Sequence, residues 1–182
     1  MNEIHDVIVV GGGVVGADCA RQLARSGRAV LVLAPSHIGE AWLASAGMLA
    51  PQIEIGEDNP LFELGIAGRE FYRDHAAQLT DETGIDLQLF DGGILRLAHD
   101  EGEAALLRSA VAWQRQHSHA ADWLDPTEVR EAFPWVGASE GGLWAAHDGS
   151  INPVRTVEAF RASAALAGAD VVVDRATTLV RQ

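Results

Sequence analysis

A single cysteine, Cys19, occurs in 182 residues. One thiol cannot close an internal disulfide, and a Cys-rich zinc site is excluded with it. Basic side chains are scarce as well: 13 Lys and Arg stand against 26 Asp and Glu, a formal charge of −13. That balance disfavours nucleic acid, whose affinity comes mainly from basic side chains meeting phosphates. It equally disfavours an anionic membrane surface. No apolar run approaches the roughly 18 residues of a membrane span. The opening MNEIHD is acidic where a secretory signal would be basic. What is present, 48% hydrophobic and 21% charged residues, suffices for a packed core. The expectation is a cytoplasmic globular protein of one domain, or one and the beginning of another.

The first 33 residues have a clear pattern. Val7-Ile8-Val9-Val10 is a short β-branched run, as in a strand buried on both faces of a parallel sheet. Glycines follow, then a helical pattern with Ala17, Ala20, Leu23 and Ala24 on one face and Arg21, Gln22 and Arg25 away from it. Gly27 stands where a left-handed helix terminator belongs. Ala29 to Leu33 is a second buried strand, which completes one right-handed βαβ unit.

The middle differs in character. Residues 39–56 are loop-rich, and Asn59-Pro60 then opens a helix that ends before Gly84. Its inner side is predicted to carry Leu61, Leu64, Phe71, Tyr72, His75 and Leu79. Asp86 to Phe90, the turn Asp91-Gly92-Gly93 and Ile94 to Leu97 predict an antiparallel hairpin. Asp100 with Glu103, and Asp125-Pro126-Thr127-Glu128, start two more helices. From Asn152-Pro153 the earlier style returns. A helix carries Val154, Val157, Phe160 and Ala164 on one face and ends at Gly168, and short strands follow at Val171–Val173 and Thr177–Val180. Two parallel strands, a long excursion and a return that stops at Gln182 suggest the front portion of a larger protein, or a half that needs a partner. The plainer alternative is a complete small domain with a polar edge strand.

Gly11, Gly13 and Gly16 have the G-x-G-x-x-G spacing, with Gly12 also present. The first glycine allows the tight turn out of the strand. The second keeps side chains away from a pyrophosphate, and the third lets helix and strand pack closely. The helix that begins near Val14 aims its unpaired N–H groups and positive dipole end at that pyrophosphate. Strand before and helix after are the context this motif requires. One partner is missing. The acid that accepts the ribose hydroxyls belongs at the end of the second strand, where Ala34-Pro35-Ser36 stands. A second reading places a 2′-phosphate there, as in NADP, held by Ser36, His37 or Arg28, although the basic cluster is thin.

Four stretches, DVIVVGGGVVG at 6–16, SAGMLAP at 45–51, GIDLQLFDGGILRLA at 84–98 and DGSINPVRTVEAFRASAALAGA at 148–169, carry a resemblance. Together they resemble the D-amino-acid oxidase (DAO) superfamily of flavoproteins, above all its glycine oxidase branch, which serves thiamine biosynthesis. The resemblance implies an α/β fold, a Rossmann-like FAD-binding parallel sheet interrupted by an antiparallel α+β part of a substrate domain. The cofactor portion would be 1–56 and 148–182, and the substrate portion 57–147. It implies FAD rather than NAD, and oxidative deamination of glycine or another small amine with hydrogen peroxide formed. Carried over by position, Gly11, Gly13, Val14, Val15 and Gly16 would cradle the FAD pyrophosphate. Ala46, Gly47 and Met48 would lie beside the flavin ring, and Thr177 would contact the adenine through its backbone. The ribose-binding acid falls on Ala34, with Pro35 beside it as a further cofactor-binding position. A hydroxyl residue near the phosphates falls on Ala41 or Trp42, and Trp42 is too bulky to replace it. The family's substrate-binding arginine and tyrosine belong to its second half, so no catalytic residue is assigned and the chain alone is expected to be inactive.

The implied partner is a small amine or amino acid, with a homo-oligomer or a missing C-terminal half left open. A non-catalytic nucleotide-binding remnant, or one subunit of a split dehydrogenase, is the competing reading. The seven histidines, His117-x-His119 included, have no carboxylate at ligand spacing and read as surface or packing residues. Trp113, Trp123, Trp135 and Trp144 read as the core of the middle part, and Cys19 as a small packing residue. Asp148-Gly149-Ser150 reads as a plain turn.

Overall fold

The computed structural model describes residues 4–34, 40–55, 59–174, 176 and 178. In chain order come β1 (Val7–Val10), α1 (Val14–Arg25), β2 (Val30–Leu33), β3 (Met48–Leu49), α2 (Pro51–Glu54), α3 (Pro60–Thr83) and β4 (Ile94–Leu97). They are followed by α4 (Glu101–Gln116), β5 (Asp122–Leu124), α5 (Pro126–Ala132), β6 (Gly142–Ala145), β7 (Gly149–Ser150), α6 (Pro153–Leu166) and β8 (Asp170–Val172). A 3₁₀ turn, Ala41–Ala44, lies between β2 and β3. This α/β chain gathers into two compact units. One is Met1–Gly47 with His75–Gln88 and Ile151–Gln182, the other Met48–Asp74 with Leu89–Ser150.

In the first unit a parallel sheet has the order β1-β2-β8, with Val7 opposite Val30 and Leu33 opposite Val172. The βαβ unit forms as expected because its apolar periods switch from a strand run to a helical stripe at the glycines. Ala20 and Ala24 of α1, Val30 and Val32 of β2, and Ala164 of α6 share one core, with Val9 packed against it. Alanines there let the helix axes approach closely. Both helices sit on the Val9 side of the sheet, so β1 is not buried on both faces: Ile8 and Val10 remain 57% and 58% exposed. Two expectations for α1 are corrected. Arg21 is buried rather than outward, because its guanidinium finds Ser163 at 2.8 Å and Asp18 at 3.3 Å. Cys19 is exposed rather than packed. Gly27 ends α1 with a φ of +83°, a conformation only glycine takes without strain. The strand expected at 177–180 lies, Thr178 apart, outside the described residues.

The second unit holds an antiparallel sheet in the order β4-β6-β5, with Ala104, Leu107 and Val111 of α4 packed on Leu143 and Ala145 of β6. The predicted hairpin of 86–90 with 94–97 does not form. Gln88 has a φ of +52°, which interrupts an extended run. Phe90 instead bridges Ser150, and β4 pairs with β6. The helix starts are where the caps predict them: Asp100 accepts from the Glu103 N–H, and Asp125 with Glu128 forms a full capping box. On α3 the predicted stripe holds at Leu79, which is buried, but is displaced at the start of the helix. Phe62 is buried and meets Trp113 edge-on at 4.9 Å, while Leu61 and Leu64 are exposed. Trp135 is no core residue but 79% exposed, edge-on to Phe133.

Asp148 is not a plain turn residue. It is fully buried, accepting from Arg69 Nη1 at 2.8 Å and from the Gln52 and Ile53 N–H groups at 3.1 Å. Burial raises its carboxyl above the ordinary range despite these bonds. Arg69 also donates to Gln52 Oε1, the Gln52 amide donates to Gln114 Oε1, and the Gln114 amide donates to the Gln52 backbone carbonyl. Every member of this buried network is paired, as burial demands.

Candidate functional site

The chain leaves β1 through Gly11, whose φ of +102° no L side chain adopts readily, and the Gly11 N–H stays bonded to Leu33 O at 2.9 Å. The loop is therefore still anchored to the sheet where it turns. Gly12 is squeezed, since a Cβ there would lie 2.6 Å from the Ala34 Cβ and 3.1 Å from Arg161 Nε. Gly13 caps α1 in extended conformation and offers no side-chain acceptor to the helix. A Cβ on Gly16 would fall 2.0 Å from Gly11 O, so α1 can start this close to the loop only with glycine at that position. The first turn carries no acidic side chain, and its N–H groups lack the intrahelical acceptors that later turns have.

These residues line a cavity of about 550 Å³ together with Glu40, Ala41 and Trp42. Trp42 forms a wall: its Cδ1 would stand 3.7 Å from a Cβ on Gly13. Its indole Nε1, bonded to that carbon, is closed to solvent and has no hydrogen-bond partner among the described residues. Arg161 of α6 holds the loop from behind. It donates to Gly12 O, pairs with Glu40 Oε1 at 3.4 Å, and places its guanidinium 5.5 Å from the centre of the Trp42 ring. The arrangement is a concave, mostly apolar pocket with free backbone donors and a helix N-terminus at its floor, which suits a diphosphate.

Of the residues singled out by sequence, Gly11, Gly13, Val14, Val15 and Gly16 are brought together on this cavity. Ala34 stands beside Gly12 at the end of β2, buried, and its methyl offers no acceptor. Ala46, Gly47 and Met48 do not line the cavity. Gly47 has a φ of +70°, and a Cβ there would lie 1.9 Å from Ile151 O, so only glycine fits. Met48 belongs to the second unit, is exposed, and pairs with Ser150. Pro35, Ser36, His37 and Thr177 lie outside the described residues. Sequence reasoning missed Arg161, which no local pattern marks, and took Trp42 only as an obstacle. Among the described residues no group of three His, Cys, Asp or Glu could hold a metal ion, and no helix is long and apolar enough to cross a membrane.

Comparison with known proteins agrees with this geometry. Residues 6–182 match the family described as "DAO: FAD dependent oxidoreductase". The chain is 32% identical over 173 residues to the glycine oxidase of Bacillus licheniformis, covering 94% of this chain and 46% of that protein. It is 30% identical over 149 residues to the "Bifunctional protein ThiO/ThiG" of Trichormus variabilis, covering 81% of this chain and 22% of that one. The crystal structure of glycine oxidase from Geobacillus kaustophilus superposes with a TM-score of 0.87 at 32% identity, over 92% of this chain and 46% of its own. The chain thus spans about half the length of the glycine oxidases it matches.

Proposed function

From its membership of the DAO family of FAD-dependent oxidoreductases, we propose that this chain is the nucleotide-binding part of an FAD-dependent oxidase. Its substrate would be glycine or another small amine or amino acid. The amine would be oxidised to an imine, water would hydrolyse the imine, and molecular oxygen would be reduced to hydrogen peroxide. FAD, when bound, supplies the two-electron oxidation. The residues here do the holding. The first-turn N–H groups of Val14, Val15 and Gly16 would take the pyrophosphate, and Gly13 would keep its approach clear. Ala46, Gly47 and Met48 would lie beside the flavin ring, and Thr177 would meet the adenine through its backbone. The cofactor portion is residues 1–56 and 148–182, with 57–147 contributing to the substrate portion.

The observation that carries this reading is the cavity over the glycine loop, where Gly11 turns by positive φ and Gly16 packs against the Gly11 carbonyl. Titrating FAD into the 182-residue chain, with flavin fluorescence as the signal, tests it. Saturable binding without peroxide from glycine is expected, and peroxide once the rest of the relatives' length is supplied. A chain that takes up no FAD would remove the reading. A second reading, a nucleotide-binding remnant without catalysis, is favoured by one feature: Ala34, beside the loop, gives a ribose nothing to bond to.

A further inference from the structure

A buried donor without an acceptor is costly, and few native structures keep one without a use for it. The Trp42 indole N–H is such a donor. It stands on the wall of the cavity that the glycine loop floors. The bonded Cδ1 would stand 3.7 Å from a Cβ on Gly13, so that carbon lies beside the helix cap, while Nε1 itself faces away from the open space. That space also carries the free N–H groups of the first turn of α1. The Arg161 guanidinium, 5.5 Å from the ring centre, adds positive charge to the same wall. All the polar hydrogens here point to one kind of ligand group, an oxyanion. Among the described residues of this wall only Glu40, which Arg161 engages, offers an acceptor side chain.

We propose that Trp42 is a ligand-binding residue whose indole N–H, by a turn of the ring into the adjacent cavity, donates a hydrogen bond to a phosphate oxygen of a diphosphate held over Gly13. This rests on the proposal that the cavity binds an adenine dinucleotide. The indole then replaces a small hydroxyl as phosphate donor, and its bulk closes one side of the site. Trp42→Phe keeps an aromatic ring and deletes the donor together with part of the indole's bulk. Because the N–H has no hydrogen-bond partner among the described residues, the substitution breaks no hydrogen bond that holds the fold. A purely structural tryptophan would behave in the opposite way.

The test uses the 182-residue chain with ADP, which carries the diphosphate without the flavin, and with FAD. Calorimetry gives the affinities, and the ¹⁵N–¹H indole resonance of Trp42, assigned by its loss in Trp42→Phe, reports the bond. Expected are movement of that resonance in proportion to ADP occupancy, no movement with adenosine, and binding of ADP and FAD weakened about tenfold to a hundredfold in Trp42→Phe. The ligand-free variant should unfold close to the parent's midpoint. Equal affinity in parent and variant, or binding of ADP with the indole resonance stationary, overturns the role of Trp42 and leaves the dinucleotide site standing. Should Trp42→Phe fail to fold, the resonance in the parent, assigned instead by through-bond correlation to the Trp42 backbone, decides alone. If neither ADP nor FAD binds the parent, both proposals fall together.

Discussion

Gly13 and Gly16 sit three residues apart in one loop, yet alanine should act on them in different ways. At Gly13 the residue has a φ of −70°, and an added methyl meets Trp42 Cδ1 at 3.7 Å, an ordinary contact. Alanine in place of glycine at an N-cap costs about 0.5–1 kcal/mol. Reduced freedom of the unfolded chain returns about 0.4–1 kcal/mol. Gly13→Ala should therefore leave stability within about 1 kcal/mol of the parent. The methyl nevertheless projects where a phosphate must approach, and loss of one charge-assisted bond corresponds to about tenfold or more in affinity. At Gly16 the methyl would lie 2.0 Å from Gly11 O and 3.1 Å from Gly11 C, both backbone atoms. No rotamer relieves that overlap, so the helix must move off the strand, at about 3 kcal/mol or more. Urea unfolding followed by circular dichroism measures the first quantity, and calorimetric titration with ADP the second. Gly13→Ala should lose affinity alone, whereas Gly16→Ala should lose both. Parent-like affinity in Gly13→Ala, or parent-like stability in Gly16→Ala, would refute the assignment of steric roles.

Arg69→Met should destabilise the second unit by about 3–5 kcal/mol near neutral pH, because it leaves the Asp148 carboxylate buried without its cation. The Asp148 carboxyl is already raised by burial, so its folded-state value lies above its unfolded one and its contribution to stability falls as pH rises through that interval. Removing Arg69 raises it further, so the loss should shrink in acid, where the neutral acid is tolerated; a cost independent of pH in urea titrations would contradict this. Ala34→Glu tests the ribose subsite. FAD binding should tighten roughly tenfold if the absent acceptor is what limits affinity, and an unchanged dissociation constant would show that another group already supplies it.

Local patterns served well wherever a short range of sequence contains the whole physical cause. The β1–α1–β2 unit was legible because the apolar period changes at the glycines, and those glycines have the spacing that a close backbone approach requires. Helix starts at Asp100, Asp125 and Asn152 were legible because a cap and the N–H groups it satisfies lie within three residues of each other. The hairpin at 86–97 was misjudged because β4 has its partner in β6, about fifty residues on. Pairing across that distance leaves no trace in an alternation of side chains. On α3 Leu79 was placed correctly, but Leu61 and Leu64 were not, because leucines look like core until the opposing surface is known, and here Trp113 selects Phe62.

The glycine cradle follows from residues 7–33 alone, since turn, cap and helix dipole are properties of contiguous backbone. The wall over that cradle does not. Arg161 reaches Gly12 across 149 positions of sequence, and Arg21 and Asp148 are buried because distant elements bring their partners to them. Charged groups can be taken from water only where folding delivers a counter-charge or a donor at bonding distance. Which of them end inside is therefore decided by packing between helices and sheets rather than by any local pattern.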